Sequence, residues 1–377
     1  MKIAFIGQKG IPAKQGGVEK HVEELASRLA QNGHEVFVYV RNNYTSQKIE
    51  NYKGIHLIHL PSLATKNLDA ISHTFLATCH ALFQKYDLIS YQAIGPSSLS
   101  FIIKFFKPKT ALTATYHCQD YFHKKWGVLA KAYLKFGEYI ACRVPDATFA
   151  VSKTLKKFIL VKFSQEAIYI PNGMNVQKNN SEDFLASQRL VKNQYILSVS
   201  RLIKHKGIHY LIEAFQKLSH EGKAGENKLV IVGDGFYTDN YVASLKKLAK
   251  QDKNILFLGE RKGSELSQLF SHCKFFVQPS ESEGISIALI EAMGYEKAVL
   301  VSNIPESLEV LPDFNFSFQS GDVLDLELKL EYLLKNPEKL IEAGLSSRRK
   351  AEAEYDWDNL AKEYENKYQE IINQKTN

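Results

Sequence analysis

Short runs of β-branched and aromatic residues alternate with amphipathic helical stretches along this chain, and the alternation starts twice. That pattern confines it to α/β architectures, in which βα units build parallel sheets. In the first series, candidate strands fall at residues 2–6, 35–40, 55–58, 88–91, 112–116, 147–151 and 167–170. The first helix places Val18, Val22, Leu25 and Leu29 on one stripe, and Gly33 ends it. Residues 173–193 are polar and lose periodicity, which marks a connection between a domain at 1–180 and another at 181–377. The pattern then restarts with a strand at 195–200 and a helix that puts Ile208, Leu211, Ile212, Phe215 and Leu218 on one face. Further strands are expected at 229–232, 255–258, 275–278 and 298–301, and a last helix at 357–372. At 377 residues the chain is two to three times a usual domain, so two Rossmann-like domains with a cleft between them fit.

Composition narrows the functional classes. A chain that is 45% hydrophobic and 24% charged is neither disordered nor collagen-like. Cys79, Cys118, Cys142 and Cys273 are widely spaced, without a C-x-x-C pair, so reduced thiols in or near the core are expected and a zinc site is not. The opening Met1-Lys2-Ile3-Ala4-Phe5-Ile6-Gly7 is too short for a signal-peptide core, and no segment reaches the ~18–20 apolar residues of a spanning helix. A cytoplasmic protein is expected. Charge is uneven: residues 1–185 hold 23 basic and 13 acidic side chains, the remainder 25 and 28. The two halves should therefore meet different partners.

Open α/β sheets bind ligands beyond the carboxyl ends of their strands, where loops and helix N-termini present backbone N–H groups. Four loops there carry suggestive residues. Gly7 to Gly17 (GQKGIPAKQGG) follows the opening strand, and Gly16 and Gly17 would let a phosphate or sugar approach the backbone. A plain flexible turn is the alternative. Ser198 to Gly207 (SVSRLIKHKG) offers Arg201 as a fork and Lys206 as a point charge, which together could neutralise a diphosphate without a metal. The third loop, QPSESEGISIALIEAM from Gln278 to Met293, places Glu283 in a loop and Glu291 in the helix that follows. Eight helical residues separate their ends by ~12 Å, so they suit two ends of a long ligand rather than one dyad. The amides of Ile285, Ser286, Ile287 and Ala288 would lie over a phosphate. A capping carboxylate and a solvated helix face are the alternatives. The fourth loop brings His117 to a strand end, to contact a sugar hydroxyl or a developing charge, or to serve structure alone.

Together these segments resemble family 4 of the retaining glycosyltransferases, from residue 1 to about 370. PSESEGISIALIEAM is similar to the family's PS-x-x-EGFG-x-x-x-LEAM signature, SVSRLIKHKG to its GR-L-x-x-x-KG element, Ile170 to Gly173 to its PNG, and Val232-Gly233-Asp234-Gly235 to its VG-x-G turn. The resemblance implies the GT-B fold, two Rossmann-like domains facing each other across a cleft, with the C-terminal helix packing back on the N-terminal domain. It implies that the N-terminal domain takes the acceptor and the C-terminal domain the nucleotide sugar. By that carry-over Arg201 and Lys206 hold the diphosphate, with Gly16 and Gly17 from the opposite wall and Ile287 and Ala288 beside it. Glu291 holds the ribose, while Gly233, Leu258 and Gly259 line the nucleoside site. Glu283, Gly284, Ile285 and Ser286 meet the donor sugar, with His117 beside it, and His117 and Glu283 are the catalytic candidates. Retention in the family is explained by same-face attack, the leaving diphosphate helping to deprotonate the acceptor; neither a cofactor nor a metal is implied. GQKGIPAKQGGVEKHVEELASRLA, HCQDYFHKKWG and SNIPESLEV resemble bacterial rhamnosyltransferase-like enzymes of surface polysaccharide assembly. Two departures stand out: Ile285-Ser286 replaces F-G, and Glu296-Lys297-Ala298 replaces G-x-P. Asp356-Trp357-Asp358 spells D-x-D but opens the terminal helix, where capping charge and a packed indole are expected.

The expected activity is transfer of a hexosyl or deoxyhexosyl group from a UDP-, GDP- or dTDP-sugar to a glycan or polyprenyl-diphosphate-linked sugar. An epimerase-like enzyme on the same fold, or a non-catalytic sugar-nucleotide-binding subunit, is the alternative. Ser100 to Lys109 (SFIIKFFKPK), Lys124-Lys125-Trp126, Lys131 and Lys135 interleave lysines with aromatics. They read as a surface for anionic membrane or as a core helix with solvated lysines. No nucleic-acid motif is present, and nucleic acid is not an expected partner.

Overall fold

Strand β1, Lys2–Ile6, buries Ile3, Ala4, Phe5 and Ile6 completely. A strand buried on both faces needs helices above and below it, which crossover connections of a parallel sheet supply. A computed structural model of the protein describes the chain except residues 15, 66, 67, 123–126, 177, 236, 237 and 377. The chain divides into two units, Met1–Asn172 joined by Trp357–Asn377, and Gly173–Asp356.

The first unit continues with β2 (Glu35–Arg41), β3 (Asn51–Tyr52), β4 (Ile55–Leu60), β5 (Leu88–Gln92), β6 (Ala111–Tyr116), β7 (Ala147–Ala150) and β8 (Ile168–Tyr169). They form one sheet in the order β3-β4-β2-β1-β5-β6-β7-β8, parallel throughout except for the β3–β4 pair. The Gly17–Gln31 helix buries Val22, Leu25 and Leu29 as its spacing predicts, while Val18 is only half-buried; Gly33, at φ +88°, ends it. Chain order reverses beside β1, with β2 on one side and β5 on the other.

The second unit holds β9 (Tyr195–Val199), β10 (Lys228–Val232), β11 (Ile255–Gly259), β12 (Phe275–Gln278), β13 (Val299–Ser302) and β14 (Ser317–Phe318). Its sheet is parallel, in the order β11-β10-β9-β12-β13-β14, and reverses between β9 and β12. The Ile208–His220 helix buries the five expected residues against the core that also holds Leu229, Ile231, Phe275 and Val277. None of the four cysteines is in a disulfide; Cys142 and Cys273 are buried and Cys79 and Cys118 half-buried.

Two domain expectations change. The second unit begins at Gly173, not at 181, because the polar stretch after it is held by hydrogen bonds. Asn179 Nδ2 donates to Ser264 Oγ at 2.9 Å, the Phe184 amide donates to Gln268 Oε1 at 2.9 Å, and Leu185 is buried. Loss of apolar periodicity therefore marked a segment anchored by polar groups rather than a linker. The terminal helix, Trp357–Thr376, groups with the first unit, although the division at 181 had placed it in the second domain. Trp357, Leu360, Ala361, Tyr364, Tyr368 and Ile371 pack into the core formed by Ile3, Phe5, Val22, Leu25 and Phe149. At roughly 1.5–3 kcal/mol for each large side chain buried, that face anchors the helix firmly. Asp358 of the D-x-D stretch accepts from Arg28 Nε at 2.6 Å.

Candidate functional site

In the second unit the expected residues stand at the carboxyl ends of four neighbouring strands: Leu258 and Gly259 at β11, Gly233 at β10, Arg201 and Lys206 after β9, and Glu283 after β12. The reversal between β9 and β12 is where doubly wound sheets open toward a ligand. Two glycines bring these loops together. Gly207 takes φ +67°, and a Cβ there would fall 1.8 Å from the Pro279 carbonyl oxygen; Gly233, at φ +131°, would meet the Ser200 oxygen at the same distance. The Gly233 amide also donates to the Gly259 oxygen at 2.8 Å, and the Glu281 amide to the His205 oxygen at 2.8 Å.

Lys206 Nζ reaches Glu283 Oε1 at 2.5 Å, with the two side chains 15% and 8% exposed. Ser280 Oγ and Gln278 Nε2 donate to the same oxygen at 2.7 and 3.1 Å. Burying a carboxylate is costly unless it is paired and hydrogen-bonded, and here three donors meet that demand. Arg201 is exposed. The Ile287–Gly294 helix follows, its Ser286 N-cap accepting from the Leu289 amide at 3.3 Å. Ile287 and Ala288 occupy its first turn, where amides have no intrahelical acceptor. Gly284 and Ile285 are buried ahead of the cap, and Glu291 is 8% exposed within the helix. Glu296, at φ +63°, takes a left-handed conformation that a glycine adopts readily, and its carboxylate pairs with Lys178 at 3.1 Å.

Sequence reasoning missed Glu306, two residues beyond the Asn303-Ile304 of SNIPESLEV. Burial pushes its carboxyl above the ordinary range, and the nearby Glu283 and Glu309 carboxylates add to the rise. The Pro at the start of its helix was the available signal, since acidic side chains favour a helix first turn.

In the first unit the loop after β1 carries Gly16, at φ +105°, and Gly17, the first residue of its helix. Glu19 lies back over Gly16 and accepts from the Lys9 amide at 3.0 Å, closing the loop on itself. His117 follows β6 and is buried; burial holds its pKa well below the usual range, and the neighbouring His21 ring lowers it further. Its Nε2 lies 3.0 Å from Gln92 Oε1, and Gln92 Nε2 donates to Ser90 Oγ at 2.9 Å. That orientation of the amide assigns the proton to His117 Nε2 and leaves Nδ1 as an acceptor. The His21 ring stands edge-on at 4.9 Å, and its Nδ1 lies 2.8 Å from Asn172 Oδ1 of the IPNG motif. Gln92 and His21 were not singled out from sequence, and Asn172 only as part of the PNG stretch; a glutamine ending a fully buried strand was the available signal. The Lys124-Lys125-Trp126 stretch lies outside the described residues. Among the described residues no helix is long and apolar enough to cross a membrane.

Residues 15–178 match the model of Glycosyltransferase Family 4, and residues 180–349 that of Glycosyl transferases group 1. An uncharacterised glycosyltransferase of Methanocaldococcus jannaschii is 28% identical, over 98% of each chain. The O-antigen chain mannosyltransferase RfbU of Salmonella typhimurium is 29% identical, over 66% of each. The solved structure of Anabaena Alr3699/HepE in complex with UDP and glucose superposes with a TM-score of 0.80 at 19% identity, covering 98% of this chain and 100% of that one. Two doubly wound parallel-sheet units with this likeness define the GT-B class of fold. Within that class the chain belongs to family 4 of the glycosyltransferases, and it is a glycosyltransferase.

Proposed function

We propose that the protein is a retaining, metal-independent glycosyltransferase of surface polysaccharide assembly. It moves a hexosyl or deoxyhexosyl group from a nucleoside-diphosphate sugar to a glycan or polyprenyl-diphosphate-linked sugar. The observation that carries this reading is the gathering of Arg201, Lys206, Glu283 and the Ile287 helix start at the switch point of one sheet. Two cations and free amides suit a diphosphate. The likeness to RfbU, named an O-antigen chain mannosyltransferase, and to HepE, solved with UDP and glucose, supports the acceptor and donor classes.

In this reading Lys206 exchanges Glu283 for the donor diphosphate, and the released carboxylate accepts from hydroxyls of the donor sugar together with the Gly284, Ile285 and Ser286 backbone. Ile287 and Ala288 donate to phosphate oxygens, and Glu291 accepts from the ribose. Gly233, Leu258 and Gly259 flank the base. In the first unit, taken by itself, Gly16 and Gly17 suit a phosphate and His117 Nδ1 is an acceptor for a sugar hydroxyl. The acceptor attacks the face from which the diphosphate leaves, and a phosphate oxygen takes its proton, so no carboxylate nucleophile is needed.

A thermal-shift screen against UDP-, GDP- and dTDP-sugars tests the donor site without knowledge of the acceptor. One donor should raise Tm; Lys206→Ala and Glu291→Ala should abolish the rise, and so should Arg201→Ala, whose exposed side chain leaves the fold intact. Unchanged donor affinity in all three variants would remove the assignment.

A further inference from the structure

Lys206 and Glu283 meet across 77 residues of chain, and the segments that carry them are fastened together independently of that contact. The Glu281 amide donates to the His205 oxygen at 2.8 Å, Tyr210 Oη donates to Glu281 Oε1 at 2.7 Å, and Ser302 Oγ donates to the Ser280 oxygen. Gly207 packs so closely on the Pro279 carbonyl that a Cβ would not fit. These contacts hold the Glu283 loop whether or not Lys206 is paired to it. Lys206 ends the Lys204–Lys206 turn and reaches out on a flexible four-carbon stem, so it is the member of the pair that can change partner.

The arrangement of donors gives that exchange a cost. Lys206 Nζ, Ser280 Oγ and Gln278 Nε2 converge on one oxygen, Glu283 Oε1, and of these three only Lys206 brings a charge. With Glu283 8% exposed, water replaces a departing ammonium poorly. An ammonium is one point charge, and a diphosphate that draws it away leaves the buried carboxylate with two neutral donors. Hydroxyls of an attached sugar can make good that loss by donating to the carboxylate. A nucleoside diphosphate without its sugar has no group there.

We propose that the Lys206–Glu283 pair is a reset latch, which lets the donor site hold a nucleoside-diphosphate sugar and release the nucleoside diphosphate. The inference rests on the donor-site reading and adds product release to it. Transfer breaks the bond between the anomeric carbon and the diphosphate oxygen, which keeps the electron pair. The new bond forms to the acceptor oxygen, whose proton passes to a phosphate oxygen. The sugar then no longer donates to Glu283, the carboxylate recovers Lys206, and the diphosphate loses one of its two cations.

The test is calorimetric titration with UDP, GDP and dTDP and with a sugar of each, extended by phosphorus NMR titration to weak complexes. Glu283→Gln keeps a carbonyl acceptor for Ser280 and Gln278 but offers Lys206 no charge. It should bind the diphosphate at least about tenfold more tightly than wild type, the scale on which close charge pairs couple. Loss of a merely structural contact would weaken binding instead. The preference for the sugar-bearing form over the diphosphate should fall by the same factor. A fixed repulsion between Glu283 and the diphosphate would also give a gain, and a double-mutant cycle separates the two. In a Lys206→Ala background the gain from Glu283→Gln should shrink to about twofold or less, and in Lys206→Arg, which keeps a cation, it should return. Unchanged or weaker diphosphate binding by Glu283→Gln would overturn the latch, and so would an undiminished gain in the Lys206→Ala background. Failure of the donor-site reading looks different: Lys206→Ala would then bind the donor as well as wild type, and the latch would fall with that reading.

Discussion

Lowering pH from about 7.5 to about 5.5 should destabilise the first unit through its buried histidines. His21 and His73 are both fully buried, and burial brings each from 6.5 down to about 4; the Arg41 guanidinium adds to the drop at His73, while the bond to Asn172 partly offsets it at His21. His21 Nε2 is buried without a partner, so the folded state has no acceptor for a second ring proton. The sign follows from the direction of the shift. A group whose folded pKa is depressed stays neutral in the fold while the unfolded chain takes up a proton, so its stabilisation is full above 6.5 and is lost as pH falls toward 4. Each histidine should then contribute a loss of about 1.3 kcal/mol between pH 7.5 and 5.5, rising to about 3.4 kcal/mol below pH 4. His117 adds to this in the same direction. The assay is urea unfolding in a Trp126→Phe background, which leaves Trp357 as the sole indole, 5.5 Å from the His21 ring. His21→Gln should shrink the pH-dependent loss by about 1.3 kcal/mol whatever it does to stability at pH 7.5. A variant that loses as much as the wild type would refute the reasoning.

Gly207→Ala should cost about 3 kcal/mol or more, because it adds both left-handed strain and a clash with the Pro279 carbonyl; a Tm within two degrees of wild type would contradict the loop packing. Gln92→Glu would place a carboxylate where Gln92 Oε1 now lies 3.0 Å from His117 and raise the imidazole pKa, so the acid limb of the pH–rate profile should move to higher pH, and an unchanged limb would separate His117 from turnover. Gln92→Leu removes the acceptor that sets the ring tautomer and should lower kcat with donor KM little changed. Activity should persist in EDTA; complete loss restored by Mn²⁺ would replace the metal-independent mechanism.

The β-strands and their parallel arrangement were legible because each is a short apolar run bounded by turn residues, and burial on both faces leaves that signature wherever the strand pairs. The exceptions are Asn51–Tyr52 and Ser317–Phe318, two-residue strands at sheet edges that bury too little to show. The loops of the candidate site were legible for a related reason: a glycine, a proline or a paired acid beside a strand end is a local requirement written in adjacent positions. Their partners were not. Lys206 and Glu283 are 77 residues apart, and His21 and Asn172 are 151 apart. No local pattern distinguishes Glu283 as an ion-pair partner from Glu283 as a helix cap.

The sequence by itself determined two series of βα units, the positions of the ligand-facing loops, the family they resemble and the excess of positive charge in the first half. Only the tertiary structure decided that the terminal helix completes the first unit and that His117 takes its proton assignment from Gln92. The physical reason is that periodicity records which face of an element is apolar, whereas the partner of that face is set by how distant elements share a core.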